Sequence, residues 1–94
     1  MVYLYGMENI LQEIQDERAR QIAKWGTGQQ LTPMEYCVII GEEFGEVCRA
    51  AHDAHFAAQY PDAIKATPGD YTQYREELIQ LATVCVAAIQ NMES

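Results

Sequence analysis

Apolar residues recur every three or four positions along three stretches of the chain, and no stretch alternates apolar and polar residues as a half-buried strand does. The pattern predicts an all-α fold. A first helix is expected from about Glu8 to Lys24, with Ile10, Leu11, Ile14 and Ile22 as a narrow apolar stripe. Glu8 suits its positive N-terminal end, Arg18, Arg20 and Lys24 suit its C-terminal end, and Trp25-Gly26-Thr27-Gly28 stops it. Thr32-Pro33-Met34-Glu35 then reads as a helix start, with a threonine cap, proline in the first turn and a glutamate placed to close a capping box. This second helix is expected to reach about Phe56, with Cys37, Ile40, Phe44, Val47, Cys48 and Ala51 on its apolar side and Glu43 and Glu46 at the border. Tyr60-Pro61-Asp62 and Thr67-Pro68-Gly69-Asp70 mark a long loop. The third helix is expected from about Tyr71 to Met92, and from Leu78 to Ile89 it is apolar almost all the way round. A three-helix monomer does not easily cover such a segment, so the expected architecture is a bundle of three main helices per chain completed by oligomerisation, as a homodimer or tetramer. Residues 8–92 then form one domain, and residues 1–7 read as an N-terminal arm or an expression remnant.

Composition sharpens this picture. A domain of 94 residues buries only about 60–65% of its unfolded surface. This chain is nonetheless 49% hydrophobic, which suggests that some apolar surface is hidden between subunits. Fourteen acids against six bases give a net charge of −8, which argues against a nucleic-acid backbone or an anionic membrane surface as partner. Cations are the natural counterpart, and a free nucleotide is compatible if metal ions carry its phosphates. Cys37, Cys48 and Cys85 are odd in number, lack C-x-x-C spacing and lie in apolar helical sequence, so they read as core thiols of a protein in a reducing cytoplasm. No apolar run is long enough to span a bilayer and no basic-then-apolar leader is present, so a cytoplasmic protein is expected.

Candidate chemistry lies in two acidic turns, Gly41-Glu42-Glu43-Phe44-Gly45-Glu46 and Arg75-Glu76-Glu77-Leu78-Ile79-Gln80. Glu43 and Glu46 lie about 60° apart on a helix with a rise of about 4.5 Å, near enough to share one hard cation. If the second and third helices pack antiparallel, the two turns meet at one height and bring Glu43, Glu46 and Glu77 together. Oxygen-only ligation by three carboxylates suits Mg²⁺, or Mn²⁺, better than zinc. The competing reading is a solvated acidic helix face, because E-x-x-E alone is common. Arg18, Lys24 and Arg75 are half of the basic residues; they are candidates to neutralise a substrate phosphate or, alternatively, ordinary surface ion pairs. Trp25 either stacks on a base or caps a small core.

Ile40-Gly41-Glu42-Glu43-Phe44-Gly45-Glu46-Val47, Glu76-Glu77-Leu78-Ile79-Gln80-Leu81-Ala82, Glu17-Arg18 and Lys24-Trp25-Gly26 together resemble the MazG-like branch of the all-α nucleoside triphosphate pyrophosphohydrolases, over roughly residues 8–92. That family pairs an E-x-x-E on one helix with an E-x-x-D on a later one. The resemblance implies a Mg²⁺-dependent hydrolase that cleaves (d)NTPs between the α- and β-phosphates to a monophosphate and pyrophosphate. It implies Glu43, Glu46 and Glu77 as metal-binding and catalytic residues, and the Lys-Trp-Gly match favours a substrate-binding role for Lys24; Trp25, Arg18 and Arg75 are substrate-binding candidates on their chemistry alone. Gln80 stands where the family has aspartate, and an amide brings no charge to a metal. Glu42 or Glu76 is then a candidate to supply the missing carboxylate; the alternatives are a non-catalytic nucleotide or metal binder and an oligomeric helical adaptor.

Overall fold

The computed structural model describes residues 6–26 and 30–93 of the chain, and these form three α-helices with no strand among them: α1 (Met7–Trp25), α2 (Pro33–Phe56) and α3 (Thr72–Glu93). The all-α expectation holds. α1 begins one residue earlier than expected, after Gly6, and ends where Gly26 donates its N–H to Ile22 O at 2.7 Å. Gly26 has φ of 82°, a conformation that an L side chain rarely adopts, so the glycine is what lets the chain turn out of the helix there. Thr27 and Gly28, the rest of that stop signal, and residues 1–5 of the expected arm lie outside the described residues.

The start of α2 is the capping box that the sequence spells. Glu35 N–H donates to Thr32 Oγ1 at 3.1 Å, and the Glu35 carboxylate accepts from Thr32 N–H at 2.9 Å. Thr32→Ala removes half of this exchange and is expected to lower stability by about 1 kcal/mol, read as an earlier midpoint in urea with an unchanged slope. α3 starts similarly, with Asp70 Oδ1 accepting from both the N–H and the hydroxyl of Thr72.

α3 is the hub, packing against both α1 and α2, whereas those two scarcely touch. It runs antiparallel to α2: Asn91 near its end donates to Leu31 O just before α2, and Gly69 before its start donates to Ala54 O near the end of α2. α1 runs in the same direction as α3, joined by Arg75 to Glu13 at one end and by Arg18 Nε to Gln90 Oε1 at 2.8 Å further along. The core is small. Val47, Ala54, Ala57, Val84 and Ala87 are the buried apolar side chains among the described residues, with Thr83 fully buried and its hydroxyl donating to Ile79 O.

The apolar stripes are less covered than their periodicity suggests. No residue of α1 is buried, and Leu11 is half-exposed. Cys37 and Cys48, expected to be core thiols, are exposed, as is Phe44, while Cys85 is half-buried. The reason is geometric. These residues keep helical spacing with one another, but their side of α2 is not the side that meets α3. No described helix is long and apolar enough to cross a membrane.

Candidate metal centre

The antiparallel pairing of α2 and α3 brings the two acidic turns to one height. Carboxylate oxygens of Glu43, Glu46 and Glu77 lie within 4.8 Å of one another, the arrangement expected from their spacing. Their environments differ in a useful way. Glu77 is only 9% exposed; its Oε1 accepts from Gln73 Nε2 at 2.7 Å, and its Oε2 is buried without a hydrogen-bond partner. Glu43 is half-buried, with Oε2 likewise enclosed and unpartnered, and Glu46 is exposed, so the group opens to solvent on one side.

Electrostatics agree with this crowding. Burial, followed by the charges of Glu46, Glu77, Glu42 and Glu17, holds the Glu43 carboxyl above its ordinary pKa. The Glu46 carboxyl is also raised, first by a hydrogen bond with the Glu77 carboxyl and then by that group's charge. Such a bond needs a shared proton. With all three groups ionised there is none to share, and Glu77 Oε2 is left unpaired. Two enclosed, orphaned carboxylate oxygens facing a third carboxylate call for a cation, and an oxygen-only set fits a hard one.

Glu43 also lines a pocket of about 580 Å³ in the cradle between α1, α2 and α3. Arg18, Gln21 and Trp25 of α1, Tyr36 and Ile39 of α2, and Val84, Gln90 and Asn91 of α3 contribute to its walls. The wall therefore combines two aromatic rings, several amides and one guanidinium beside the acidic cluster, as a site for a flat, hydrogen-bonding ring system would. Lys24 stands beside this pocket rather than in its wall, with Nζ 4.9 Å from the centre of the Trp25 ring.

The remaining predicted residues fall elsewhere. Arg75 makes a bidentate pair with Glu13, at 2.8 and 2.6 Å, in a second groove of about 450 Å³ between α1 and α3. Glu76 and Gln80 line the same groove, together with Glu17 and Arg20. Glu42 acts on Glu43 and Glu46 through its charge.

Sequence reasoning passed over Gln21, Tyr36, Gln90 and Asn91, because residues that converge from three helices leave no local signature. Glu17, noted in the sequence only as part of a motif, proves to stand where its charge reaches Glu43. Comparison of the chain with protein-family models, curated proteins and solved structures finds no match.

Proposed function

We propose that the protein is a divalent-metal-dependent nucleoside triphosphate pyrophosphohydrolase of the MazG-like kind, acting in a reducing cytoplasm. The observation that carries this reading is the buried, unpartnered oxygen of Glu77 facing Glu43 and Glu46. The adjoining aromatic and amide-lined pocket supports a nucleotide over a bare polyphosphate. Glu43, Glu46 and Glu77 would hold Mg²⁺, or Mn²⁺ in its place. When bound, the cation offsets the phosphate charge and acidifies a water.

The chain's own residues do the rest. Trp25 and Tyr36 flank the base, the Gln21 amide offers a donor and an acceptor to its edge, and Arg18 sets positive charge toward the phosphates. Glu46, the solvent-facing carboxylate, takes the proton from the attacking water. The water oxygen bonds to the α-phosphorus, the bond to the bridging oxygen breaks, and pyrophosphate leaves. Trp25→Ala is expected to raise KM about tenfold with kcat within a factor of about two, checked by steady-state kinetics, because stacking acts alike on ground and transition states.

The deciding experiment is incubation with the common and damaged (d)NTPs and Mg²⁺ or Mn²⁺, with pyrophosphate and orthophosphate assayed separately. Pyrophosphate release that disappears in Glu43→Ala is the expected result. A lack of product with every nucleotide, or full turnover in Glu43→Ala, overturns the reading. One observation favours a second reading, a nucleotide or metal binder without turnover: Gln80 brings no charge, and it lines the groove between α1 and α3 rather than joining the cluster of Glu43, Glu46 and Glu77. Ligand-induced thermal stabilisation without product in the wild type, and turnover gained in Gln80→Asp, would select it.

A further inference from the structure

The pocket beside the carboxylates is lined by two charged side chains, Arg18 of α1 and Glu43 of α2. Their partners differ in kind. Glu43 belongs to the acidic cluster, whereas Arg18 meets a neutral amide, its Nε donating to Gln90 Oε1 of α3 at 2.8 Å. Gln90 lines the same wall, one turn beyond Ala87 on α3. On α1, Arg18 stands with Gln21 and Trp25 at i, i+3 and i+7, so the arginine shares a helix face with the indole of the pocket.

The other arginines show what this choice of partner changes. Arg75 takes both oxygens of Glu13, while Arg20 and Arg49 pair with Glu17 and Asp53. In each of these a carboxylate offsets the charge. Arg18 is in none of the ion pairs among the described residues, and an amide oxygen holds a guanidinium without neutralising it. The direction of the bond matters as well. An arginine carries its N–H donors in one rigid plane; once Gln90 takes the Nε–H, that plane is oriented and the Nη N–H bonds remain, a fork that suits two oxygens of one phosphate. A side chain already tethered also loses less rotamer freedom when a ligand arrives.

We propose that Gln90 is the positioning residue for Arg18, holding its guanidinium oriented and fully charged for the phosphates of a nucleotide in this pocket. The inference rests on the nucleotide reading of the site and adds to it a residue of α3 that orients the cation without touching the reacting atoms. The competing role for the same bond is plain docking of α1 on α3. One substitution separates the two. Gln90→Glu keeps an acceptor at the same reach and adds an ion pair, so docking is kept or strengthened while the charge offered to a phosphate is offset. Gln90→Met keeps the length of the side chain and loses the acceptor, so docking weakens and Arg18 keeps its charge but not its direction.

The chain has a single tryptophan, Trp25, and it lines the pocket, so its fluorescence follows binding directly. The α,β-imido analogues of dATP, dCTP, dGTP and dTTP, which resist cleavage at that bridge, are titrated with Mg²⁺ into the full-length wild type and both variants, beside melting curves. The wild type is expected to bind at least one of the four. For that analogue, Gln90→Glu is expected to weaken binding at least ~10-fold with the melting temperature unchanged or higher. Gln90→Met is expected to weaken it about threefold and to melt earlier. A wild type that binds none of the analogues, a Gln90→Glu protein that binds as tightly as the wild type, or affinity that falls only where the melting temperature falls overturns the inference. Binding in the expected order without pyrophosphate release from the natural dNTPs counts against the hydrolase and upholds the role of Gln90. Pyrophosphate release together with undiminished affinity in Gln90→Glu does the reverse.

Discussion

Glu77→Gln is expected to raise the melting temperature of the metal-free protein and to remove its metal-dependent turnover. Glu77 is the most enclosed of the three clustered carboxylates, and its Oε2 has neither a donor nor solvent. A charge in that position is unfavourable by desolvation and by repulsion from Glu43 and Glu46. Glutamine keeps the shape and its carbonyl oxygen still accepts from Gln73, while its amide N–H₂ donates to the neighbouring carboxylates. Relief of about 1 kcal/mol corresponds to a rise of about 4–8 °C for a domain of this size. The same change removes one anionic ligand from a hard-cation site, and turnover should fall at least ~100-fold. Melting curves in a chelator and in Mg²⁺, taken beside the pyrophosphate assay, read both effects. A lower melting point in the chelator would mean that Glu77 is a structural residue and that the cluster is not held for an ion.

Stability without divalent metal is expected to fall as pH rises from about 4.5 toward neutrality. Glu43 and Glu46 both titrate above their ordinary value of 4.5. Between that value and the raised one, the folded protein binds more protons than the unfolded chain, so each rise in pH costs stability. Below 4.5 the sign reverses through other groups. The carboxyl of Glu13 is lowered by its hydrogen bond from Arg75, that of Glu35 by the Thr32 backbone N–H, and that of Asp70 by the Thr72 hydroxyl. Each of these contributes stability that is present above its unfolded value and lost as pH falls through the depressed one. The metal-free protein should therefore be most stable in mild acid. Saturating Mg²⁺ should flatten the upper limb, because the ion stabilises the ionised carboxylates. Thermal melts from pH 4 to pH 8, with chelator and with Mg²⁺, check the sign; a metal-free melting point that climbs steadily to pH 8 contradicts it.

The residues show why part of this was legible in sequence and part was not. Helix positions follow from local periodicity, and the box between Thr32 and Glu35 is a contact three residues long, so both could be read directly. The meeting of Glu43 and Glu46 with Glu77 needed only one added premise, that neighbouring helices pack antiparallel. Periodicity cannot say which partner covers a stripe. Cys37, Phe44 and Cys48 have the spacing of core residues yet lie bare within one chain. The pairing of Arg75 with Glu13 spans 62 positions, and no pattern within α3 indicates that this cation is already engaged. The pocket wall was hidden for the same reason, since Gln21, Tyr36 and Asn91 are unremarkable in their own helices and meaningful only together.

The tie between Gly69 N–H and Ala54 O closes the connection from α2 to α3 at its base. Gly69 holds φ of 73° there, and Asp70 caps the next helix immediately afterwards. The height at which Glu77 meets Glu43 and Glu46 is thus set by the two ends of the connection and not by the length of chain between them. Residues 58–67 become a permissive insertion point, where extra chain or a fused tag can be accommodated without sliding one acidic turn past the other. A side chain at position 69, by contrast, would strain the hinge that keeps the two halves of the site in step.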